Sequence, residues 1–150
     1  MASESNPQER RLVLRLLDYW RGLAAEGELP AAALLRAADM DDMWRACFTL
    51  RLGGSEPVFD HIGDCHVRYH GTDLTGRGVA EAGANTLLGA AVSYLDEVML
   101  RRIPITYGGT VPGPDGEEIP YRSILLPLSD DGETINAILG GANCRHPVFE

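Results

Sequence analysis

The side chains best suited to chemistry lie in one short stretch, GDCHVRYHG, at positions 63–71. His66 and His70 are four residues apart, so on a helix both imidazoles project from one face, with the Cys65 thiol beside the first. These groups bind transition metals and haem iron. Two interpretations stay open: a metal or haem site that opens into a pocket, or an outward-facing helix with two solvated histidines that titrate near neutral pH. Two ligands make an incomplete site, so the outward-facing helix is the expectation here.

Other catalytic motifs are missing from the sequence. It contains no phosphate-binding loop, no G-x-S-x-G, no HExxH and no dinucleotide-binding glycine pattern. Asp60 and His61 could form an acid–base pair, but neighbours on a strand point to opposite faces, so at most one of them can line a pocket. The three cysteines have no CxxC spacing, which predicts reduced thiols and no disulfide framework. We therefore expect a protein that binds and does not catalyse; a small pocket enzyme is the remaining alternative.

Length and charge narrow the function classes further. A chain of 150 residues suits one domain. Its net charge of −9 argues against nucleic acid and anionic membranes as partners, because both select positively charged surfaces. No apolar run approaches the roughly 20 residues that span a bilayer. The sequence therefore predicts a cytoplasmic protein whose partners are small molecules and other proteins.

The order of predicted elements is that of an α+β domain. A first helix spans about 6–26, and it carries two apolar stripes, of which one can face the core. Alternation of period two predicts a strand at 45–52, and a Gly-Gly-Ser turn leads to a second strand at 57–62. A long helix follows at 85–102, and then come strands at 104–111, 118–128 and 134–142. Successive strands with tight turns indicate an antiparallel sheet with helices on one face.

Several local motifs, in this order, resemble a PAS domain, and specifically the small stand-alone bacterial PAS proteins with a helical N-terminal extension. The motifs are YWRGL at 19–23, GTDLTGR at 71–77, SYLDEV at 93–98 and YRSILLPLSDDGETINAILGG at 121–141. The resemblance implies an N-terminal helical extension (1–40) and a PAS domain (41–150) with a five-stranded antiparallel sheet. It also implies a sensory or regulatory protein that has no output domain of its own and that binds a small molecule in its pocket, docks onto a signalling protein such as a sensor kinase, or does both.

The resemblance and the strand alternation together suggest the residues of two surfaces. The second stripe of the first helix is expected to form a homodimer interface through Leu12, Tyr19 and Leu23. The pocket between sheet and helices is expected to be lined by Phe48, Val67, Leu95, Tyr107, Tyr121, Ser123 and Ile138.

Cofactors are less determined by the sequence. GGANCRH at 140–146 is similar to the flavin-thiol motif of LOV domains, a PAS subclass, but it follows the last strand, where a LOV domain has finished its fold. Flavin photochemistry at Cys144 is therefore not expected. The resemblance places a haem ligand on the helix before the third strand, yet 85–102 contains no histidine. No cofactor is assured, and a haem- or metal-bearing sensor that uses His66 and His70 is the alternative function.

Overall fold

A computed structural model describes the backbone of residues 7–144 and the side chains of residues 11–144. Within these residues the helices are α1 (Pro7–Arg21), α2 (Ala37–Met40), α3 (Asp64–His70), α4 (Leu87–Val92) and α5 (Leu95–Arg101), with short 3₁₀ turns between some of them. The strands are β1 (Cys47–Arg51), β2 (Val58–Ile62), β3 (Ile105–Pro112), β4 (Glu118–Leu128) and β5 (Ala137–Ala142). None of the helices between residues 7 and 144 has the length and apolar character needed to cross a bilayer.

The strands form one sheet in the order β2-β1-β5-β4-β3, with every neighbouring pair antiparallel. The predicted five-stranded antiparallel α+β architecture is confirmed. Side-chain alternation is also as predicted on β1, where Phe48 and Leu50 face a core shared with α3, α4 and α5. We call the space between this face of the sheet and those helices the helix-side interior.

Two consecutive glycines in the central strand β5 allow close packing on both faces of the sheet. A side chain at Gly140 would overlap the Phe48 ring on the helix side, and one at Gly141 would overlap Leu16 on the opposite side. Since neither glycine carries a Cβ, the Phe48 ring and the Leu16 side chain both lie directly on the backbone of β5. The strand is thereby held between the helix-side core and α1.

The first helix covers the face of the sheet opposite the helix-side interior. Val13 and Leu16 are buried there in a second core cluster with residues of β4 and β5. Leu12 and Tyr19 also pack, half-buried, against this cluster, and the Tyr19 hydroxyl accepts a hydrogen bond from the Arg36 amide at 3.0 Å. The apolar side that motivated a dimer interface at these residues is thus largely occupied by the chain itself.

The structure corrects two predicted helices. The helix expected at 85–102 is two helices, α4 and α5, separated at Ser93 and Tyr94. The Ser93 hydroxyl donates to the Ala90 carbonyl at 2.7 Å, and such back-bonding competes with the regular helical ladder. The helix expected to continue to about 26 ends at Arg21, where the Gly22 amide donates to the carbonyls of Asp18 and Tyr19.

Candidate functional site

Helix α3 is held against the start of β1 by a glycine at its N-cap. The Gly63 amide donates to the Cys47 carbonyl at 2.8 Å, and a Cβ at Gly63 would clash with the Arg45 carbonyl. Only glycine therefore allows the two backbones to come this close. At its other end α3 stops at Gly71, whose φ of 93° lies in the left-handed region and whose amide donates to the Val67 carbonyl at 2.9 Å.

This contact places His66 inside the protein. Its side chain is 1% exposed, and its Nε2 lies 2.9 Å from the Ala46 carbonyl oxygen, to which it must donate. The ring stands edge-on to Phe48, with the centroids 6.0 Å apart. Burial lowers the pKa of His66 from 6.5 to about 4, and the hydrogen bond to the Ala46 carbonyl opposes this shift only in part. The expectation of a solvated histidine is therefore wrong for His66, which is neutral at pH 7.

A disulfide joins α3 to the segment that directly follows β5. Cys65 and Cys144 are bonded although 79 residues separate them in sequence. The prediction of three reduced thiols is therefore wrong for this pair. Cys47 stays a free thiol; it is buried on the α1 side of the sheet, donates to the Met43 carbonyl at 3.2 Å, and has a pKa raised by burial to about 12.

The disulfide, His66 and the end of β5 together form what we call the α3–β5 corner, made of Cys65, His66, Ala142, Asn143 and Cys144. Two buried polar atoms in this corner form no hydrogen bond with the described residues: Nδ1 of His66 and Nδ2 of Asn143. Because Nε2 of the neutral imidazole carries the proton, Nδ1 is an acceptor, whereas the Asn143 amide nitrogen is a donor. Unpaired buried polar atoms are costly, so each of these two atoms is a candidate contact for a bound molecule that can hydrogen-bond to it.

The structure brings most of the predicted pocket residues to the helix side of the sheet. Phe48, Leu95, Tyr121, Ser123 and Ile138 are buried there. Val67 packs half-buried against the same core. Tyr107, on the edge strand, is 50% exposed. Whether these residues line a ligand site remains a prediction.

One polar group of the helix-side interior was missed from sequence. The Tyr94 hydroxyl and the Ser123 hydroxyl lie 2.8 Å apart, and the Tyr94 ring stacks on Tyr107 with centroids 5.0 Å apart. Burial raises the pKa of Tyr94, so its hydroxyl keeps its proton. The sequence offered no signal for this contact, because Tyr94 was expected within a continuous helix.

The metal or haem hypothesis receives no added ligand from the structure. Among the residues that the structure describes, no group of three or more His, Cys, Asp or Glu side chains is placed to hold a metal ion. Nε2 of His66 donates to the Ala46 carbonyl, and the sulfur of Cys65 is bonded to Cys144, so neither atom is available as a metal ligand. The partner that the hypothesis names, His70, lies at the last residue of α3 and is half-buried.

Comparison with solved structures identifies the architecture. The chain is similar to the LOV domain described in "Flavin Analogue Sheds Light on Light-Oxygen-Voltage Domain Mechanism", with a TM-score of 0.54 and 13% identity over 75% of this chain and 85% of that one. The fold is that of a PAS domain. The light-state structure of the blue-light photoreceptor Aureochrome1 LOV matches with a TM-score of 0.52 and 11% identity, over 77% of this chain and 92% of its own. An Ile74Val variant of Vivid matches with a TM-score of 0.51 and 10% identity, over 85% and 95%.

Sequence comparisons add nothing to this structural likeness. No protein-family model matches the chain, and no curated protein matches it. The TM-scores of 0.51–0.54 show a shared fold, and the identities of 10–13% carry no residue role across.

The structural neighbours correct the cofactor expectation. The position of GGANCRH argued against flavin photochemistry, yet the similar structures are LOV domains, one of them studied with a flavin analogue. The α3–β5 corner also contains a buried acceptor, His66 Nδ1, and a buried donor, Asn143 Nδ2, that form no hydrogen bond with the described residues. The expectation against flavin rested on the position of one cysteine motif, and this polar corner depends on contacts that the motif does not show.

Proposed function

We propose that this protein is a PAS-type sensory domain that binds a small planar molecule in its helix-side interior, with the polar edge of that molecule held at the α3–β5 corner. The observation that carries the proposal is the pair of unpartnered buried atoms, His66 Nδ1 and Asn143 Nδ2, beside an apolar and aromatic core. Ligand sites in proteins combine such apolar walls with a few convergent polar groups.

A flavin is the first candidate, because the similar solved structures are LOV domains, one of them studied with a flavin analogue, and because the corner contains a buried acceptor and a buried donor without partners among the described residues. His66 would accept from a ring N–H, Asn143 would donate to a carbonyl, and aromatic side chains such as Phe48 would face the ring system. A bound flavin would supply absorption of blue light and electron-transfer chemistry. The chain's own residues would orient the molecule and exclude water.

We propose that the signal leaves through the protein surface and reaches a signalling protein such as a sensor kinase. A ligand that binds one conformation better than another shifts the population of the two. Helix α3 is the element best placed to transmit occupancy, since it carries His66 and is joined to the end of β5 through Cys65. We expect no catalytic turnover.

Titration with flavin mononucleotide, followed by flavin fluorescence and absorption, tests the proposal. The wild-type protein should bind, and His66→Leu should weaken binding about tenfold, because a buried hydrogen bond to the ligand is lost while apolar volume is kept. His70→Leu is the matched control, four residues along the same helix, and should bind like wild type. Both variants should retain the wild-type circular dichroism spectrum.

Three outcomes decide against parts of this proposal. A Soret band in the native protein would replace flavin with haem as the cofactor. Equal binding by wild type and His66→Leu would remove the α3–β5 corner from the site. No binding of any flavin, together with no small molecule in the native protein, would remove the ligand-sensing function.

A further inference from the structure

The two edge strands of the sheet, β2 and β3, differ in whether their outer backbone groups are hydrogen-bonded within the described residues. The outer edge of β2 is covered by the segment 76–79: Phe59 exchanges hydrogen bonds with Arg77 and Gly76, at 2.9 and 2.7 Å, and the Val79 amide donates to Pro57 at 3.0 Å. The outer edge of β3 pairs with no other strand among residues 7–144. Within residues 7–144, one outer row of backbone donors and acceptors is thus paired with another segment, and the outer row of β3 is paired with none.

The sequence of β3 lacks the usual protection of an exposed edge. Natural edge strands carry charged side chains or are very short, which prevents pairing with another chain. β3 has eight residues, ITYGGTVP, without a charged side chain, and its proline is the last residue. Large apolar side chains are exposed next to it: Leu100 at 82%, Ile103 at 45% and Tyr107 at 50%. This edge therefore combines free backbone groups with apolar surface.

We propose that two copies of this chain pair through β3, antiparallel, so that their sheets become continuous. A two-fold axis that relates adjacent antiparallel strands is perpendicular to the sheet, so paired residues must lie on the same face. One residue of β3 must then pair with its own copy, and a pairing centred on the middle of the strand places Gly108 opposite Gly108 or Gly109 opposite Gly109. Glycine at the centre removes any side-chain collision about the axis.

Charge at the two ends of β3 supports a second copy as the occupant. Arg101 and Arg102 precede the strand, and Asp115 and Glu117 follow it. Antiparallel pairing at either register brings the basic end of one copy to the acidic end of the other, and the symmetry makes this contact twice. Each copy carries a net charge of −9, so two copies repel each other over most of their surface. An uncharged strand with oppositely charged ends is a surface at which this repulsion is small.

The surface predicted from sequence for a dimer is less suited to this role. Leu12 and Tyr19 already pack against the core cluster beneath α1, whereas the side chains near β3 are exposed. The two surfaces lie on different elements, so variants at each can distinguish them. The β3 proposal does not depend on ligand binding.

Light scattering and analytical ultracentrifugation across the micromolar range test the proposal. The wild-type protein should be a dimer. Thr106→Lys combined with Thr110→Lys places like charges along the exposed edge and should give a folded monomer. Thr72→Lys combined with Thr134→Lys adds the same charge at exposed positions away from β3 and should stay dimeric. Hydrogen exchange should show β3 amides protected in the dimer and exchanging faster in the monomer.

A charge exchange between copies tests the antiparallel orientation of the two β3 strands. Arg102→Glu and Asp115→Arg should each raise the dimer dissociation constant several-fold, and mixing the two variants should restore it, because the mixed dimer pairs opposite charges at both contacts. A monomeric wild-type protein would overturn the proposal. The proposal would also be overturned if Leu12→Asp with Leu23→Asp dissociated the dimer while Thr106→Lys with Thr110→Lys did not. Equal dissociation by the control variant, Thr72→Lys with Thr134→Lys, would overturn it as well.

Discussion

Protonation of His66 should make the fold sensitive to mild acid. The imidazole is fully buried and donates from Nε2 to the Ala46 carbonyl, so the folded protein holds it neutral. In the unfolded chain the same group titrates near 6.5. The unfolded state therefore binds a proton that the folded state excludes at any pH between these two pKa values.

The size of the effect follows from the two pKa values. The folded-state pKa of about 4 lies below the unfolded value of 6.5, so the free energy of unfolding falls as the pH is lowered through 6.5 and levels off near 4. At about 1.4 kcal/mol for each unit of pH, the loss across these 2.5 units totals about 3.5 kcal/mol. His61, whose pKa burial also lowers, contributes in the same direction. The positive charge of a protonated His70 works further against charging His66.

Urea unfolding at a series of pH values, compared between wild type and His66→Leu, measures this contribution. The wild-type protein should lose stability between about pH 6.5 and 4 more steeply than the variant, by up to about 3.5 kcal/mol in total. His70→Leu should keep most of the wild-type slope. Parallel stability curves for wild type and His66→Leu would refute the buried, neutral state of His66.

Two further perturbations test what holds the fold together. Cys65→Ser with Cys144→Ser opens a loop of 79 residues and should reduce the free energy of unfolding by about 4 kcal/mol; dithiothreitol should destabilise the wild-type protein equally and leave the variant unchanged, and an indifferent wild type would exclude the disulfide. Leu16→Ala, beneath α1, should cost about 2–5 kcal/mol in urea unfolding. Leu14→Ala, on the 62% exposed side of α1, should stay within about 0.5 kcal/mol, and equal losses at both positions would contradict the docking of α1 on the sheet.

The architecture was readable from sequence where local pattern and tertiary burial agree. On β1 the alternation that places Phe48 and Leu50 on one side is the alternation of a strand with one face in each core, so strand, hairpin and face were predicted together. The strand predicted at 118–128 has the bounds of β4, because a turn lies at each end and its apolar second half is buried on both faces of the sheet. Both strands could be predicted from the pattern of residues close together in the sequence.

The candidate site was less readable because it depends on contacts distant in sequence. Nothing local joins Cys65 to Cys144. The burial of His66 follows from the close approach of Gly63 to β1, which a helix pattern alone does not show. A short helix with polar residues is usually predicted to lie on the surface. Here His66 is buried, and its Nε2 donates to the Ala46 carbonyl. Sequence reasoning therefore found the stretch but assigned His66 the wrong side of the helix.

Native mass spectrometry of the purified protein, after exposure to the small-molecule fraction of a cell extract and separately to flavin mononucleotide, tests the central proposal most directly. A ligand-sensing domain should show an added mass at one molecule per chain, and this mass should be lost or much reduced in His66→Leu and kept in His70→Leu. A protein that carries only its own mass under both conditions, or an adduct that is the same in wild type and His66→Leu, would contradict a ligand held at the α3–β5 corner.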